Sequence, residues 1–390
     1  MLKHVIKYHT RVTDIQNGHL FKLALWTLSP NENTCQSPQS LKKIYAMCSY
    51  AIHGIEIKND TNTFKIKNEE KVSNYSSFIL KKGINVNKNF TKYNVSYNDK
   101  TTNVELLKRI NKIVYKTEEY KETPINLLHR IFENHIDEHA IIFSSLNLNI
   151  PWYRYYKWEE KQIFFNGYEN RNGMVTTAAT RNIKIGIWKK SNVVIKIPCN
   201  INDQNSIVTL TILIPNVKIE EIYKDKTFGN MMVKSNDDNM MKLDYLSTSL
   251  ESLKSEILEY TTNDIKKLIE KYDYLQDCDF NTQISMPIID VSSPNYSIKK
   301  IDFKNAKFSN GANIFGPLKF LSDAVIQLKE ILCCTRTKIC PYGLSVEGIA
   351  MGLCFNGRNK DKKILDIKFP FMFIVSTDIN NIYSIGFVNK

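Results

Sequence analysis

The order of the hydrophobic patterns constrains this chain more than any other feature. Helical spacing comes first, over residues 17–28 and again after Ser37-Pro38-Gln39-Ser40, where Leu41, Ile44, Tyr45, Cys48 and Ala51 follow a cap and an early proline. Residues 55–103 are polar, Asn-rich and at most weakly strand-forming, whereas 104–115 and 124–132 return to helical spacing. Ala140 to Leu148 is apolar and β-branched enough for a strand, and Val193 to Pro198 and Ile207 to Ile214 read as two strands across a polar turn. One or two amphipathic helices fit residues 246–272. Strand-like runs close the chain at 282–291, 324–332, 364–375 and 382–388. The expected class is therefore α+β with a helical N-terminal half, lacking the regular β-α-β alternation of a nucleotide-binding sheet.

A chain of 390 residues with 43% hydrophobic content is too apolar for a disordered protein and suits one large domain or two ordinary ones. Its net charge of +13 suggests a polyanion partner only if the basic residues cluster. They come mostly singly or in pairs such as Lys108-Arg109, and the one dense run is Arg358 to Lys363, so no specific nucleic acid is expected. The apolar stretch Leu20 to Leu28 contains Lys22 and has no small-residue cleavage site after it, and no uncharged run nears the ~20 residues that span a bilayer. These features predict an intracellular protein, in cytosol or nucleus, with no membrane partner.

Of the eight cysteines, Cys333, Cys334, Cys340 and Cys354 fall in the last sixth of the chain, and no Cys-x-x-Cys pair suggests zinc. His135-Ile136-Asp137-Glu138-His139 matches the H-x-x-E-H string of zinc peptidases, but it lies between a helical pattern and a strand pattern, on an expected turn. No metal site is assigned to it. Nucleophile elbows, phosphate loops and dinucleotide glycine motifs are missing, so neither a catalytic site nor a cofactor is expected.

Taken in order, several pieces resemble one family, the serpins, over essentially the whole chain. Ser37-Pro38-Gln39-Ser40-Leu41 with Ala46-Met47 and Gly54 is similar to the family's helix-B segment, and Trp152 with Tyr156 to the end of the third strand of its main sheet. Val193 to Pro198 and Leu210 to Pro215 resemble paired strands of the second sheet. Phe308-Ser309-Asn310-Gly311-Ala312-Asn313, Leu321-Ser322-Asp323-Ala324-Val325, Pro370 to Ile374 and Ile385 to Asn389 match further family segments. The sequence departs from the pattern at Lys368-Phe369, where Asn-Arg is usual, and in a shortened Phe303 to Lys307. The resemblance implies a single serpin-like domain over 1–390 with three β-sheets and a reactive-centre loop equivalent at 341–364.

An inhibitory serpin inserts this loop into its main sheet after a protease cuts it, which requires small, uncharged inward-facing residues at the hinge. The equivalent here keeps Gly343. It places Pro341, which cannot donate a ladder hydrogen bond, bulky Leu344 and charged Glu347 nearby. An insertion holding Cys333-Cys334 is expected within or beside the preceding strand. The expectation is a scaffold that does not inhibit by insertion and assembles with itself, with Cys333, Cys334, Cys340 and Cys354 as cross-links. A weaker resemblance, to serpin-like viral occlusion-body (polyhedrin-type) proteins, implies a structural lattice. The alternative is an intracellular or viral inhibitor of a trypsin-like serine protease, with Arg358 as bait and the target bond at Gly357-Arg358 or Arg358-Asn359.

Overall fold

The computed structural model describes residues 16–53, 71–81, 95–98, 140–150, 152, 156–165, 168–176, 182–189, 192–199, 207–215, 223–224, 250–271, 273–277, 283–317, 327–346 and 364–389. The helical patterns at 104–115 and 124–132 and the pentapeptide at 135–139 lie outside them. Two described helices open the chain, α1 (residues 16–26) and α2 (Pro38–His53), around the short strand β1 (Thr34–Gln36). The Ser37 hydroxyl accepts from the Ser40 amide and caps α2. Later helices are α3 (250–259), α4 (Thr262–Glu270) and α5 (Lys300–Asn305), with a 3-10 turn over Ser309–Phe315. None is long and apolar enough to cross a membrane.

The strands form three sheets, consistent with the mixed α+β expectation. β7 (Lys184–Trp188), β8 (Asn192–Pro198), β9 (Thr209–Ile214), β11 (Leu275–Asp277), β17 (Phe371–Asp378) and β18 (Asn381–Val388) join β1 in a seven-stranded antiparallel sheet, ordered β1-β18-β17-β9-β8-β7-β11. Every residue of β8 and β9 is buried, because both faces of this sheet are covered. Val194, Leu213, Met372, Ile374 and Phe387 face the helices, while Val193, Ile195, Ile212 and Phe373 pack toward the other two sheets. Gly386 is required where β1 crosses: an added Cβ would sit 2.4 Å from the Thr34 carbonyl oxygen.

A five-stranded sheet runs β10 (Tyr223–Lys224), β16 (Ile364–Asp366), β12 (Gln283–Pro287), β6 (Tyr168–Thr176), β5 (Trp158–Phe165). A six-stranded sheet runs β13 (Ile289–Ile298), β14 (Ile331–Cys340), β15 (Gly343–Val346), β4 (Ala140–Ile150), β2 (Lys71–Lys81), β3 (Val95–Asn98). Of the expected strand at 324–332, residues 324–326 lie outside the described residues, 328–330 are not in a strand, and β14 begins at Ile331 and continues to Cys340. Cys333 and Cys334 therefore lie inside this strand, where its pairing with β13 shifts register between Ser293 and Tyr296. The run at 364–375 is likewise two strands in different sheets, because 367–370 carry the chain from one to the other.

Candidate functional site: a strand slot in the six-stranded sheet

β14 alternates as a strand buried on one face should. Thr335, Thr337 and Ile339 are buried, while Arg336 and Lys338 are half-exposed. Arg336 forms a two-pronged ion pair with Asp290 of β13, at 2.8 and 2.7 Å. The buried face meets a polar seam rather than a purely aliphatic layer. The Thr335 hydroxyl donates to the Gln36 side-chain oxygen, Thr337 and Ser384 share a 2.6 Å hydroxyl contact, and the Cys35 thiol lies 3.2 Å from the Val291 carbonyl oxygen and 3.3 Å from that of Thr335. Burial pushes the Cys35 thiol up to about 11, so it stays protonated and serves as a donor.

At its end β14 turns through Pro341-Tyr342 and returns as β15, with Cys340 opposite Gly343 and Ile339 opposite Leu344. Pro341 fixes a turn of negative φ, whose twist mismatches a two-residue hairpin. Gly343 takes up the difference with a φ of 153°, a backbone setting that other residues rarely adopt. β15 also pairs antiparallel with β4, placing Leu344 opposite Ile150, Ser345 opposite Asn149 and Val346 opposite Leu148. The hinge equivalent therefore lies between two strands of the main sheet.

Pro341 and Leu344, expected to be unsuited to an inhibitory hinge, are both accommodated at this place in the sheet. Pro341 occupies the turn, where no ladder amide is needed, and Leu344 holds the register position between Ile339 and Ile150, both buried. Among the described residues β14 and β4 are linked through β15 alone, at Lys338 to Cys340 and Leu148 to Ile150, and the interval between 331–337 of β14 and 140–147 of β4 is termed the slot. The slot is tied at its upper end by Trp152, whose ring N–H donates to the Cys340 carbonyl oxygen at 2.7 Å and whose ring packs 5.0 Å from Trp158 of β5.

Glu347, Cys354 and Arg358 lie outside the described residues, as does the Cys334 side chain. Cys333 and Cys340 are half-buried and in no disulfide. Seven positions apart on one strand, they stand about 23 Å from each other at 3.3 Å per residue, far beyond the reach of one bridge. Cys333 packs against the helix-side core. Sequence reasoning missed β10, the polar seam and the hairpin at 341–342. Only the hairpin left a signal, a Pro-Tyr-Gly break after an alternating Thr-Arg-Thr-Lys-Ile run.

A short strand, β15, seated between two long strands of a six-stranded sheet is an arrangement shared with known folds. A tumour-suppressing serpin shares 13% identity and a TM-score of 0.62, over 97% of this chain and 99% of that one. The fold is that of a serpin. A highly specific serpin from the insect Tenebrio molitor matches at 14% identity and TM-score 0.58, over 97% of this chain and 96% of its own. Thyroxine-binding globulin, solved with thyroxine, matches at 12% and 0.61, over 96% and 99%. No family model matches the sequence, and neither does any curated protein. β15 pairs within the six-stranded sheet, and β16, which follows residues 347–363, pairs within the five-stranded one.

Proposed function

We propose that this chain inhibits a trypsin-like serine protease by inserting its cut loop into the slot between β14 and β4. The observation that carries this reading is the register of β15. Because Val346 pairs with Leu148, each further loop residue would take the next β4 position, and 354 would reach Ala140, the first residue of the strand. Leu344 and Val346 share a face with buried Ile150 and Leu148, so a period of two would bring Gly348, Ala350, Gly352 and Cys354 to the core side. All are small and uncharged. Glu347 would fall with Ser345 on the outer face, where a carboxylate keeps its water and the burial cost does not arise.

Arg358 then lies just past the filled slot, where a trypsin-like enzyme would attack its carbonyl carbon and release the amine of Asn359. The acyl bond would be carried away with the inserting strand before water reached it. Incubation with trypsin should give a complex that survives SDS, with the mass of both partners less the released segment 359–390, and Arg358→Ala should abolish it. Clean cleavage of the loop with no stable complex would end the proposal.

One observation favours a second reading, assembly of the chain with itself. Where no ladder among the described residues joins β14 to β4, a neighbour's strand would be accepted as readily as the chain's own, and Cys340 is accessible enough to cross-link such a pair. A viral occlusion-body lattice is one form that assembly would take. Light scattering and non-reducing gels at rising concentration should then show growing oligomers. A monomer that persists at high concentration would exclude it.

A further inference from the structure

Lys22 of α1 is 8% exposed, and among the described residues its ammonium has no hydrogen bond and no ion pair. Buried ammonium groups are ordinarily paired. Two carboxylates stand near enough to act on it, and each is committed elsewhere. Glu259, at the end of α3, accepts from Lys307 with both oxygens. Asp264, in the first turn of α4, holds Lys189 at 3.0 Å on one oxygen and the Thr261 amide and hydroxyl on the other. Three ammonium groups therefore share two carboxylates, and Lys22 is the one left over.

His19 lies one turn before Lys22, on the same face of α1. Its ring stacks on Phe308, with centroids 4.8 Å apart and planes 4° from parallel, and its Nδ1 is buried with no hydrogen-bond partner among the described residues. Lys307 precedes Phe308 with a φ of 58°, a left-handed setting that follows α5 and that glycine would take without strain. A lysine in that place brings a second ammonium to Lys22. Burial, then the Lys307 ammonium, pushes Lys22 below its ordinary value despite Glu259 and Asp264, and burial, then Lys22, lowers His19. An anion would relieve both.

We propose that His19, Lys22 and Lys307 form a binding site for a phosphate group, at the junction of α1 with the turn after α5. The Lys22 ammonium and a His19 Nδ1–H would donate to its oxygens, while Lys307 divides its donors between the ligand and Glu259. Three such groups suit phosphate, with its three acceptor oxygens, better than a carboxylate with two. Helix α4 begins against α1 here, since an added Cβ on Gly18 would sit 2.7 Å from the Thr262 hydroxyl oxygen, and the positive end of this nine-residue helix adds to the field. The ligand is the free ion or the phosphoryl end of an ester. No residue of the site belongs to β14, β15 or β4, so its test is independent of the insertion reading.

Calorimetric titration of the full chain with inorganic phosphate, at constant ionic strength in chloride, should show saturable binding. Lys22→Met keeps the buried stem without the charge and should weaken that binding on the order of ten- to a hundredfold. His19→Phe keeps a ring on Phe308 and should weaken it too, whereas Lys161→Met, which removes an exposed charge from β5, should leave it unchanged. Glycerol phosphate bound with the same dependence on Lys22 would assign the site to a phosphate ester, and binding of inorganic phosphate alone would assign it to the free ion. Without phosphate, Lys22→Met should be at least as stable to urea as the wild type, because a buried unpaired charge is gone, so lost binding is not lost folding. No saturable binding by the wild type, equal affinity in Lys22→Met, or a Lys22→Met protein less stable than the wild type would each overturn the site.

Discussion

Lys196 is the single residue whose chemistry the surrounding strand least suggests. It sits in the middle of the apolar run of β8, is 1% exposed, and donates to the carbonyl oxygens of Ile269 and Lys271 at 2.8 and 2.9 Å, capping the C-terminal end of α4. Burial lowers it from its ordinary value to about 7, with Glu270 and Asp273 opposing the shift. The unfolded chain keeps the higher value, so the fold bears the cost of a buried charge below pH 7. That cost shrinks as pH rises and vanishes above the unfolded value of roughly 10.4. Lys196→Met removes the charge and both donors, leaving two helix-end carbonyls unpaired at a cost of about 1–3 kcal/mol each. Urea midpoints of the two proteins should therefore diverge as pH is raised from 6 to 10, with the wild type gaining. A difference that stays flat or narrows would show that Lys196 remains charged in the fold.

At the scale of elements, the phase of the loop decides what the inhibitory reading requires. Sequence reasoning alone placed Glu347 on the buried side, because nothing in a run of alternating small and large residues says which parity faces inward. Continued at a period of two from the pairing with Ile150 and Leu148, the proposed insertion would put Glu347 outward. Ala350→Arg should accordingly turn the protein from an inhibitor of trypsin into its substrate, since a guanidinium would enter the sheet's core side. Ile349→Arg should leave the complex intact. Equal behaviour of the two variants, read as the ratio of SDS-stable complex to cleaved product, would refute the register. β14 escaped sequence reading for a related reason. Its inward positions are Ile331, Cys333, Thr335, Thr337 and Ile339, and between the two isoleucines stand only a cysteine and two threonines, because Thr335 and Thr337 lie on the seam of Cys35, Gln36 and Ser384. By contrast β8, β9, β17 and β18 were legible, since strands buried on both faces carry unbroken apolar runs.

For the whole molecule, the basic excess takes a different meaning from the one composition suggests. Lys196 closes α4, Lys254 donates to the carbonyl oxygens of Trp26 and Leu28 at the end of α1, and Lys42 donates to the Asn380 carbonyl oxygen in the β17–β18 turn. These ammonium groups are spent on orphan carbonyls inside the fold rather than displayed to a polyanion. The sequence by itself determined the α+β class, the strands buried on both faces and the ordered segments that resemble serpins, because burial and turn chemistry are written locally. Tertiary structure alone decided that residues 343–346 pair between β14 and β4, in which register they do so, and that residues 223–224 lie across β16. Each of these is a pairing between segments far apart in the chain, and a strand's own pattern fixes its two faces without naming its neighbour.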